Sequence, residues 1–413
     1  MDIKQRLKYI QKTLFVNYLK SKKYFMNLSH SKRILSDIKK LSLILLCIFS
    51  FLTLWVNRIK FHPDNVIIWT TAKMYSFKKS KKFPININGE KVMPNNFQMQ
   101  SGYLFELSDT SLNVITKNGN TIYSEKHGFS KPVLKSGNVR SIIYDCGGNE
   151  YKITSAYKTL HAKETENKII SACVSDVGNY ALVTESQRYL SELQVFNKNN
   201  ILKYKYYLNQ SYTTDVSLNS EGNLAAVSGV SASNGYINSH IDIFDFTSAE
   251  PKYHFEIQNG IVSSVKHLPD GYIAVIADKS ISFINTKKGT ISTIDYDNKI
   301  LKFYDIDNYN GVCCCLSPST NEAHNDEIMI FSTKGKQLLN KSTSENLLSI
   351  AFKGSKIIAL TENKVLQYNT AGTLQKFAIT DHIYKKALIE KHGYVYLMSA
   401  YQINKSKLNS QKI

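Results

Sequence analysis

The chain has 413 residues and a formal net charge of +19, with 43% hydrophobic and 11% aromatic residues. This length exceeds that of one ordinary compact domain and suits one large repeat domain with appendages, while the apolar content is sufficient for a core. Eleven Lys or Arg against two Asp fall within residues 1–40. That concentration favours a tail beside anionic lipid and argues against a nucleic-acid-binding domain.

An apolar run without any charged residue, LSLILLCIFSFLTLWV, occupies residues 41–56. At about 1.5 Å per residue it extends roughly 24 Å, short of the roughly 30 Å hydrocarbon core, so flanking Lys40 and Arg58 must reach to the interface. Trp55 lies near one end, where interfacial aromatic residues are favoured. We therefore predict a transmembrane helix over residues 41–57 with a cytoplasmic N-terminus, because the Lys and Arg excess lies on that side.

Two kinds of cleaved signal fit this run less well. A signal peptide needs a small-residue cleavage site after the run, and the following NRIKFHPDN has none. A lipoprotein signal needs a small residue before the Cys, whereas Leu46 precedes Cys47. The expected localisation is therefore the cell membrane, with a single pass and the rest of the chain extracytoplasmic.

Basic segments lie on both sides of the predicted span. Residues 58–82 are expected to form a juxtamembrane linker that contains the run KKSKK. Residues 1–40 carry apolar residues at helical spacing among Lys and Arg, which predicts an amphipathic helix on the inner leaflet or, alternatively, a docking helix for a cytoplasmic partner. The apolar stripe is Ile3, Leu7, Ile10 and Leu14.

Beyond residue 83 one phrase repeats: a turn that contains Gly, followed by an apolar strand. The gaps between successive Gly run from 35 to 49 residues, a period typical of propeller blades with four short strands. Each Gly allows the backbone of a hairpin turn, and the run after it reads as a strand buried on both faces. The marks are Gly102, Gly137, Gly178, Gly222, Gly271, Gly311, Gly354 and Gly393.

We call the four strands of each blade a to d in chain order. Strand a precedes each Gly, strand b follows it, and strands c and d come after strand b. The last unit lacks a strand d, because the chain ends soon after YQINKSKL. The segment FPININ at residues 83–88 can supply it and close the ring, which removes the open edges. The predicted fold class is therefore all-β: a β-propeller of about eight four-stranded blades over residues 83–408. Seven blades, or a sandwich array, are the alternatives.

Two long runs carry a resemblance to a known family. Residues 144–200 begin YDCGGNEYKITSAYKTLHAKE, and residues 213–246 read TTDVSLNSEGNLAAVSGVSASNGYINSHIDIFDF. They resemble a family of membrane-anchored propeller proteins of unknown function from low-GC Gram-positive bacteria, chiefly clostridia. The similarity covers nearly the whole chain. It implies the same propeller and anchor, and it brings no activity, cofactor or catalytic residue.

The sequence predicts no enzyme, no catalytic residue, no metal site and no cofactor. It contains no G-x-S-x-G elbow, no H-E-x-x-H, no Walker A loop and no G-x-G-x-x-G. The run from Asp305 to Gly311 hints at a calcium loop, but its sixth position is Asn310 and no Glu stands at the twelfth. The Trp repeats of quinone-dependent propeller dehydrogenases are missing, because both Trp precede the repeats.

The six Cys lack the spacing of a metal or redox site. Three are consecutive, and neighbours on a strand point to opposite faces. We expect them to behave as small buried hydrophobic residues without disulfides. They are Cys47, Cys146, Cys173, Cys313, Cys314 and Cys315.

Recognition is expected on the face of the ring that carries the b–c loops. These loops are short at residues 278–279 and 363–364 and long at residues 186–191, 229–240 and 317–327. Loops on a rigid scaffold often carry binding. The residues predicted to bind are Arg188, Tyr189, Asn234, Tyr236, His324 and Asp326.

The leading functional hypothesis is a membrane-tethered, extracytoplasmic binding or scaffolding platform. The tail and span would contact membrane lipids, and the propeller would bind an envelope protein or an anionic envelope polymer, since its charge excess favours anionic partners. A ligand sensor that signals to the basic tail is the alternative, although a single helix transmits a signal poorly without dimerising. A propeller hydrolase or lyase has no motif to support it.

Overall fold

The computed structural model describes residues 12–20, 22, 30–56, 63–75, 83–87, 89, 91–233, 235–319, 325–380, 382–390 and 393–410. The chain divides into two compact units, residues 1–61 and residues 62–413. In the first unit, residues 12–20 are helical, which agrees with a helical tail. The other apolar residues of the predicted stripe, Ile3, Leu7 and Ile10, lie outside the described residues.

A helix from His30 to Val56 covers residues 41–56 of the predicted span, and residue 57 lies outside the described residues. Its apolar window, Ile34–Trp55, has 22 residues and a mean hydropathy of 1.9, and none of it is buried. The window includes Asp37, Lys39 and Lys40, so its charge-free part remains residues 41–55, and the two Lys side chains must reach toward the interface. Of the helices described, this one alone has the length and apolar composition to cross a membrane.

The second unit is an all-β propeller of eight four-stranded blades, as predicted. Each blade is an antiparallel sheet, and in blades 1 to 7 strands a to d follow one another in sequence. Blade 1 comprises Val92–Gln100, Tyr103–Ser108, Ser111–Ile115 and Thr121–Lys126, and blade 2 comprises Pro132–Ser136, Arg140–Asp145, Glu150–Ser155 and Thr159–Glu164. Blade 3 comprises Ile169–Val174, Tyr180–Glu185, Ser191–Phe196 and Leu202–Leu208, and blade 4 comprises Tyr212–Leu218, Leu224–Ser233, Tyr236–Asp245 and Tyr253–Ile257.

Blades 5 to 8 continue around the ring. Blade 5 comprises Val262–His267, Tyr272–Ala277, Ser280–Asn285 and Thr290–Asp295, and blade 6 comprises Ile300–Asp307, Gly311–Ser317, Glu327–Phe331 and Gln337–Ser342. Blade 7 comprises Ser349–Lys353, Lys356–Leu360, Lys364–Asn369 and Leu374–Ile379. Blade 8 comprises Lys386–Ile389, Tyr394–Met398, Gln402–Lys407 and, as strand d, Ile85–Asn86. A short strand, Asn409–Ser410, adds to the outer edge of blade 7.

The ring closes as the sequence predicts, with the segment before blade 1 completing blade 8. Ile85 pairs with Ile403 and Asn86 with Gln402. Ile403 is fully buried in a cluster with Tyr396 and Met398 of the same blade and Phe97 of blade 1. Blade 8 thus joins two parts of the chain that are more than 300 residues apart.

The Gly marks lie in or beside the a–b turns. All of the eight except Gly137 have a positive φ, which other residues adopt only with strain. Gly311 is the tightest case: its φ is 119°, and a Cβ there would stand 1.9 Å from the carbonyl oxygen of Phe331. Any side chain at residue 311 would therefore displace the backbone of strand c in blade 6.

Each interface between neighbouring blades is an apolar layer, and the consecutive Cys show how strand b serves two of them. Cys314 packs between blades 5 and 6, whereas Cys313 and Cys315 pack between blades 6 and 7. Burial raises the pKa of the Cys314 thiol to about 12. Cys173 and these three Cys are free and buried, as expected, whereas Cys146 is partly buried and Cys47 is exposed on its helix.

A second helix, Pro63–Tyr75, lies within the segment that was predicted to be a juxtamembrane linker. Its Asn65 Nδ2 donates to the carbonyl oxygen of Asp176, in the a–b turn of blade 3, at 3.1 Å. Ala72 is buried in the cluster that contains Tyr103 of blade 1. The helix, called the docking helix below, therefore lies against the a–b side of blades 1 to 3.

Blade 4 is fixed in the ring by a buried carboxylate on its inner strand. Asp215 is only 3% exposed. Its Oδ1 accepts hydrogen bonds from Lys135 Nζ at 3.2 Å and Ser171 Oγ at 3.0 Å. Its Oδ2 accepts from Ser264 Oγ at 3.0 Å and the Val265 backbone N–H at 3.1 Å. One carboxylate therefore links strands a of blades 2, 3, 4 and 5, and its charge raises the pKa of Lys135.

Replacing this carboxylate should loosen half of the ring. We expect Asp215→Ala to lower the free energy of unfolding by about 3–5 kcal/mol, because Lys135 loses its counter-charge and three further donors lose their acceptor. Urea unfolding of the detergent-solubilised chain, followed by near-ultraviolet circular dichroism, measures the change. The control is Asp245→Ala at the end of strand c in blade 4, where the carboxylate is partly exposed and contacts Lys252 and Thr247, with an expected change of at most about 1 kcal/mol. Equal losses in the two variants would contradict the assignment.

A histidine on the neighbouring inner strand makes stability depend on pH. The His267 backbone N–H donates to Ser217 Oγ at 3.0 Å, and His267 Nδ1 lies 3.1 Å from the same oxygen. Burial, with a smaller contribution from Lys266, lowers the pKa of His267 to about 3. In the unfolded chain the pKa is about 6.5, so below that pH the unfolded chain binds a proton that the folded chain does not.

The propeller should therefore lose stability as pH falls below about 6.5. Between pH 7 and pH 5 the loss due to His267 should reach about 2 kcal/mol. Unfolding midpoints of the wild type and His267→Gln over this range measure it, with the difference in pH dependence rather than absolute stability as the readout. His382→Gln, at an exposed site, should keep the wild-type slope. An unchanged slope in His267→Gln would show that another group is responsible.

Candidate binding surface on the long-loop face

The b–c and d–a connections of all blades lie at one end of the ring, which is called the long-loop face. Most b–c connections there are tight, such as the two residues 278–279 of blade 5. The connections of blades 3, 4 and 6 differ because they are longer or project further. These three were predicted to form the recognition surface.

The connection of blade 4 is a projecting β-hairpin. Residues 229–240 were predicted to be a long b–c loop; strands Leu224–Ser233 and Tyr236–Asp245 instead extend through most of it and pair without a break from Leu224↔Asp245 to Ser233↔Tyr236. The sequence Asn234-Gly235 is a strong signal for a tight turn between paired strands. Continuous pairing holds the tip at a fixed position over the ring.

The two faces of the hairpin differ because side chains alternate along each strand. Phe244 packs toward blade 3 and Ile241 toward blade 5, which sets the direction of the alternation. Val230 and Ile237 follow the apolar side toward blade 5, and Tyr212 pairs with Val230 at the base. Tyr236 is at the tip, is 60% exposed and by the same alternation lies on the other side, toward blade 3. The blade 5 side thus offers apolar surface that the ring does not bury.

The opposite side of the hairpin carries polar contacts. Ser231 Oγ lies 2.6 Å from His240 Nε2, and Asp242 Oδ1 lies 2.6 Å from His254 Nδ1. The His240 and His254 rings stack with centroids 5.3 Å apart. His240 Nδ1 is buried, and no described group hydrogen-bonds to it. A Ser–His pair without a third group to orient the His lacks the arrangement that activates a nucleophile.

The connection of blade 3 places two predicted residues at the surface. Arg188 and Tyr189 are both exposed. The Tyr189 ring stacks on Tyr207 of strand d, with centroids 4.7 Å apart. Lys205 Nζ lies 5.0 Å from the Tyr207 ring and 2.8 Å from Glu192 Oε1. The aromatic pair is therefore held in place before any partner arrives.

The connection of blade 6 behaves differently from the prediction. Asp326 is only 2% exposed. Its Oδ2 accepts from Lys302 Nζ at 2.7 Å and from the Leu347 backbone N–H at 2.7 Å. This carboxylate ties blade 6 to the start of blade 7 and is not available at the surface, which corrects its assignment to recognition. His324 and, in blade 4, Asn234 lie outside the described residues.

Exposed apolar side chains of the blades gather on the long-loop face. They are Met93, Tyr189, Tyr207, Tyr212, Tyr236, Ile237, Ile261, Ile300, Ile379, Ile383 and Tyr401. At the opposite end of the blades, the described residues of this kind are Ile201, Leu202, Tyr309 and Leu338. The densest group lies on blades 3 and 4 around the hairpin; Tyr189 and Tyr236 of this group were among the residues predicted to bind, whereas Tyr207, Tyr212 and Ile237 were not.

A polar cleft opens beside the hairpin, between blades 4 and 5. Its volume is about 230 Å³, and its lining includes Glu256, Asn259, Lys279 and Asp295. Lys279 Nζ donates to Asn259 Oδ1 at 3.1 Å. Charges of both signs line the cleft, which therefore favours neither an anionic nor a cationic ligand.

The structure supports neither a metal centre nor the calcium loop that Asp305 and Asp307 suggested. Asp305 Oδ2 accepts from the Phe352 N–H at 2.7 Å, and Asp307 Oδ2 accepts from the Gly354 N–H at 2.8 Å. Both carboxylates therefore join blade 6 to blade 7 through hydrogen bonds to backbone N–H groups. Across the described part of the chain, no three His, Cys, Asp or Glu side chains come together as a metal site.

Residues 57–408 match the model of the family of unknown function DUF5711, and the chain belongs to that family. No curated protein matches the sequence. The solved structure of Saccharomyces cerevisiae Sqt1 has a TM-score of 0.55 at 10% identity, over 80% of this chain and 100% of that one. The C-terminal WD40 domain of Sif2 has a TM-score of 0.55 at 11% identity, over 81% and 99%. BamB from Moraxella catarrhalis has a TM-score of 0.48 at 12% identity, over 78% and 99%. The likenesses to Sqt1 and to the Sif2 domain show the propeller fold alone.

Proposed function

We propose that this member of the DUF5711 family is a membrane-tethered platform that binds a protein through its long-loop face. The observation that carries the proposal is the rigid hairpin of blade 4, with exposed Tyr236 and Ile237, within a wider apolar surface. The apolar helix Ile34–Trp55 supplies the tether, and the Lys and Arg excess before it supports a cytoplasmic N-terminus.

The chemistry of this face favours a protein partner over an anionic polymer. Tyr is enriched at protein interfaces, because its ring buries a large area while its hydroxyl keeps a hydrogen bond. Tyr189 and Tyr207 are already stacked, so binding costs little side-chain entropy there. The cleft next to the hairpin combines Glu256 and Asp295 with Lys279 rather than clustering cations.

The rigidity of the face also supports binding over catalysis. Strand pairing fixes the hairpin, and Asp215 fixes the blade beneath it. Side chains that are held in place and exposed can act as anchor residues at the centre of an interface. The one Ser–His pair on this face has no described third group to complete a catalytic arrangement.

Removing the anchor side chains should release the partner. We expect the double variant Tyr236→Ala, Ile237→Ala to reduce crosslinking of a defined membrane or envelope protein at least about tenfold, because two anchors of about 1–2 kcal/mol each are lost. The measurement is in-cell crosslinking of the full chain, followed by identification of the attached proteins. A second variant with residues 230–239 replaced by a tight turn should abolish the crosslink.

The matched control is Tyr309→Ala, an exposed tyrosine in an a–b turn at the other end of blade 6. This variant should crosslink like the wild type. If the same proteins attach to the wild type and to both hairpin variants, the hairpin is not the contact. If Tyr309→Ala alone loses them, the opposite face is the binding surface and the proposal is wrong.

A further inference from the structure

The docking helix, Pro63–Tyr75, carries an unusual amount of exposed apolar surface for a helix packed on a protein. One side is used by the ring: Asn65, Ile68 and Ala72 are buried. The other side exposes Ile67 at 59% and Met74 at 73%. A helix at the surface of a water-soluble domain normally presents polar residues on its outer side. This outer side therefore needs an explanation other than folding of the propeller.

The outer side has the composition of an interfacial membrane helix. Val66, Ile67 and Met74 are apolar, and Trp69 lies at the margin with 44% of its surface exposed. Lys73 Nζ lies 4.8 Å from the Trp69 ring centroid. Trp and Lys together are favoured at the boundary between headgroups and acyl chains, where the ring is half buried and the ammonium stays hydrated.

The position of the helix in the chain identifies the surface that covers it. Seven residues separate Trp55, at the end of the apolar window, from Pro63. Arg58 and Lys60 lie between them, and KKSKK follows the helix at residues 78–82. Basic residues before and after a short apolar face are attracted to anionic headgroups by about 1 kcal/mol each. A segment tethered this close in sequence to a span meets lipid at a high effective concentration.

We propose that the docking helix is a second membrane contact. Its outer face, Val66, Ile67, Thr70, Lys73 and Met74, lies in the headgroup region of the leaflet that the span reaches, while its inner face holds blades 1 to 3. The long-loop face, at the other end of the blades, is then turned away from the lipid and toward partners. This inference rests on the tether of the proposed function and is independent of the partner.

The chain contains only two Trp, Trp55 and Trp69, which makes the proposal directly measurable. In Trp55→Phe, the fluorescence of Trp69 alone reports on the docking helix. The full chain is reconstituted into vesicles of phosphatidylcholine and phosphatidylglycerol, with and without lipid brominated near the headgroup end of its acyl chains. We expect brominated lipid to lower Trp69 emission about twofold and to leave little quenching by aqueous iodide.

A variant of the outer face sharpens this test. Ile67→Asp with Met74→Asp in the Trp55→Phe background should abolish the quenching by brominated lipid and restore quenching by iodide. Leu338→Asp, an exposed apolar residue on the a–b side of blade 6, is the matched control and should behave like the parent. Near-ultraviolet circular dichroism confirms that each variant keeps the propeller.

The reciprocal variant Trp69→Phe separates this inference from the tether. If brominated lipid quenches Trp55 but not Trp69, and iodide quenches Trp69, the span is inserted and the docking helix is not a membrane contact. If neither Trp is quenched by lipid, the tether itself is wrong and this inference falls with it. If Trp69 is protected from both quenchers, a second copy of the chain covers the helix, which also overturns the proposal.

Discussion

Side chains make most of the contacts between neighbouring blades of this ring, beside backbone hydrogen bonds such as that from the Ile169 N–H to the Gly148 carbonyl oxygen at 2.7 Å. Apolar layers fill each interface, but such layers are non-directional and do not fix how one blade slides against the next. The inner strands solve this with polar side chains that bind backbone of the following blade. Asp215 and Ser217 do so between blades 4 and 5, and Asp305 and Asp307 do so between blades 6 and 7. A buried carboxylate is costly unless its lone pairs are satisfied, and at Asp215 four donors satisfy them.

The candidate binding surface depends on these hydrogen bonds between inner strands. The blade 4 hairpin continues strands b and c of the blade that Asp215 fixes. The position of the hairpin tip is therefore determined by contacts of the inner strand at the centre of the ring. A loop of the same length would have to be ordered by the partner at an entropic cost, whereas a paired hairpin has met that cost on folding. The surface is thus a consequence of the scaffold and not an addition to it.

Much of this architecture follows from the sequence, because the repeated Gly reports a backbone conformation that few other residues adopt. The Gly marks gave the blade number, and the need to pair an open edge predicted that residues 83–88 close the ring. The docking helix was missed because its stability comes from blades that lie distant in sequence, although Pro63 and Asp64 are typical of a helix start.

The site was predicted less completely, for physical reasons that differ from residue to residue. Asn234-Gly235 signals a paired turn, and reading it so would have given the hairpin. Asp326 looks like a surface residue in a polar stretch; only the strand that brings Lys302 beneath it shows that it is buried. Tyr207 and Tyr212 look like ordinary strand residues, and their exposure depends on which end of the blade they occupy. Asp215 likewise stands in an unremarkable strand, and only the ring brings its partners together.

The division of blade 8 between the two ends of the chain has a consequence for biosynthesis. Ile85 and Asn86 are synthesised before blades 1 to 7, whereas their partner strand, Gln402–Lys407, is synthesised after them. Until then blades 1 and 7 both present unpaired faces, and every intermediate is an open arc rather than a ring. A chain shortened by a few dozen residues at its C-terminus could not close at all. Ring closure therefore requires synthesis of the strand Gln402–Lys407. Proteases that recognise exposed strand edges would degrade chains that lack it and spare chains whose ring is closed.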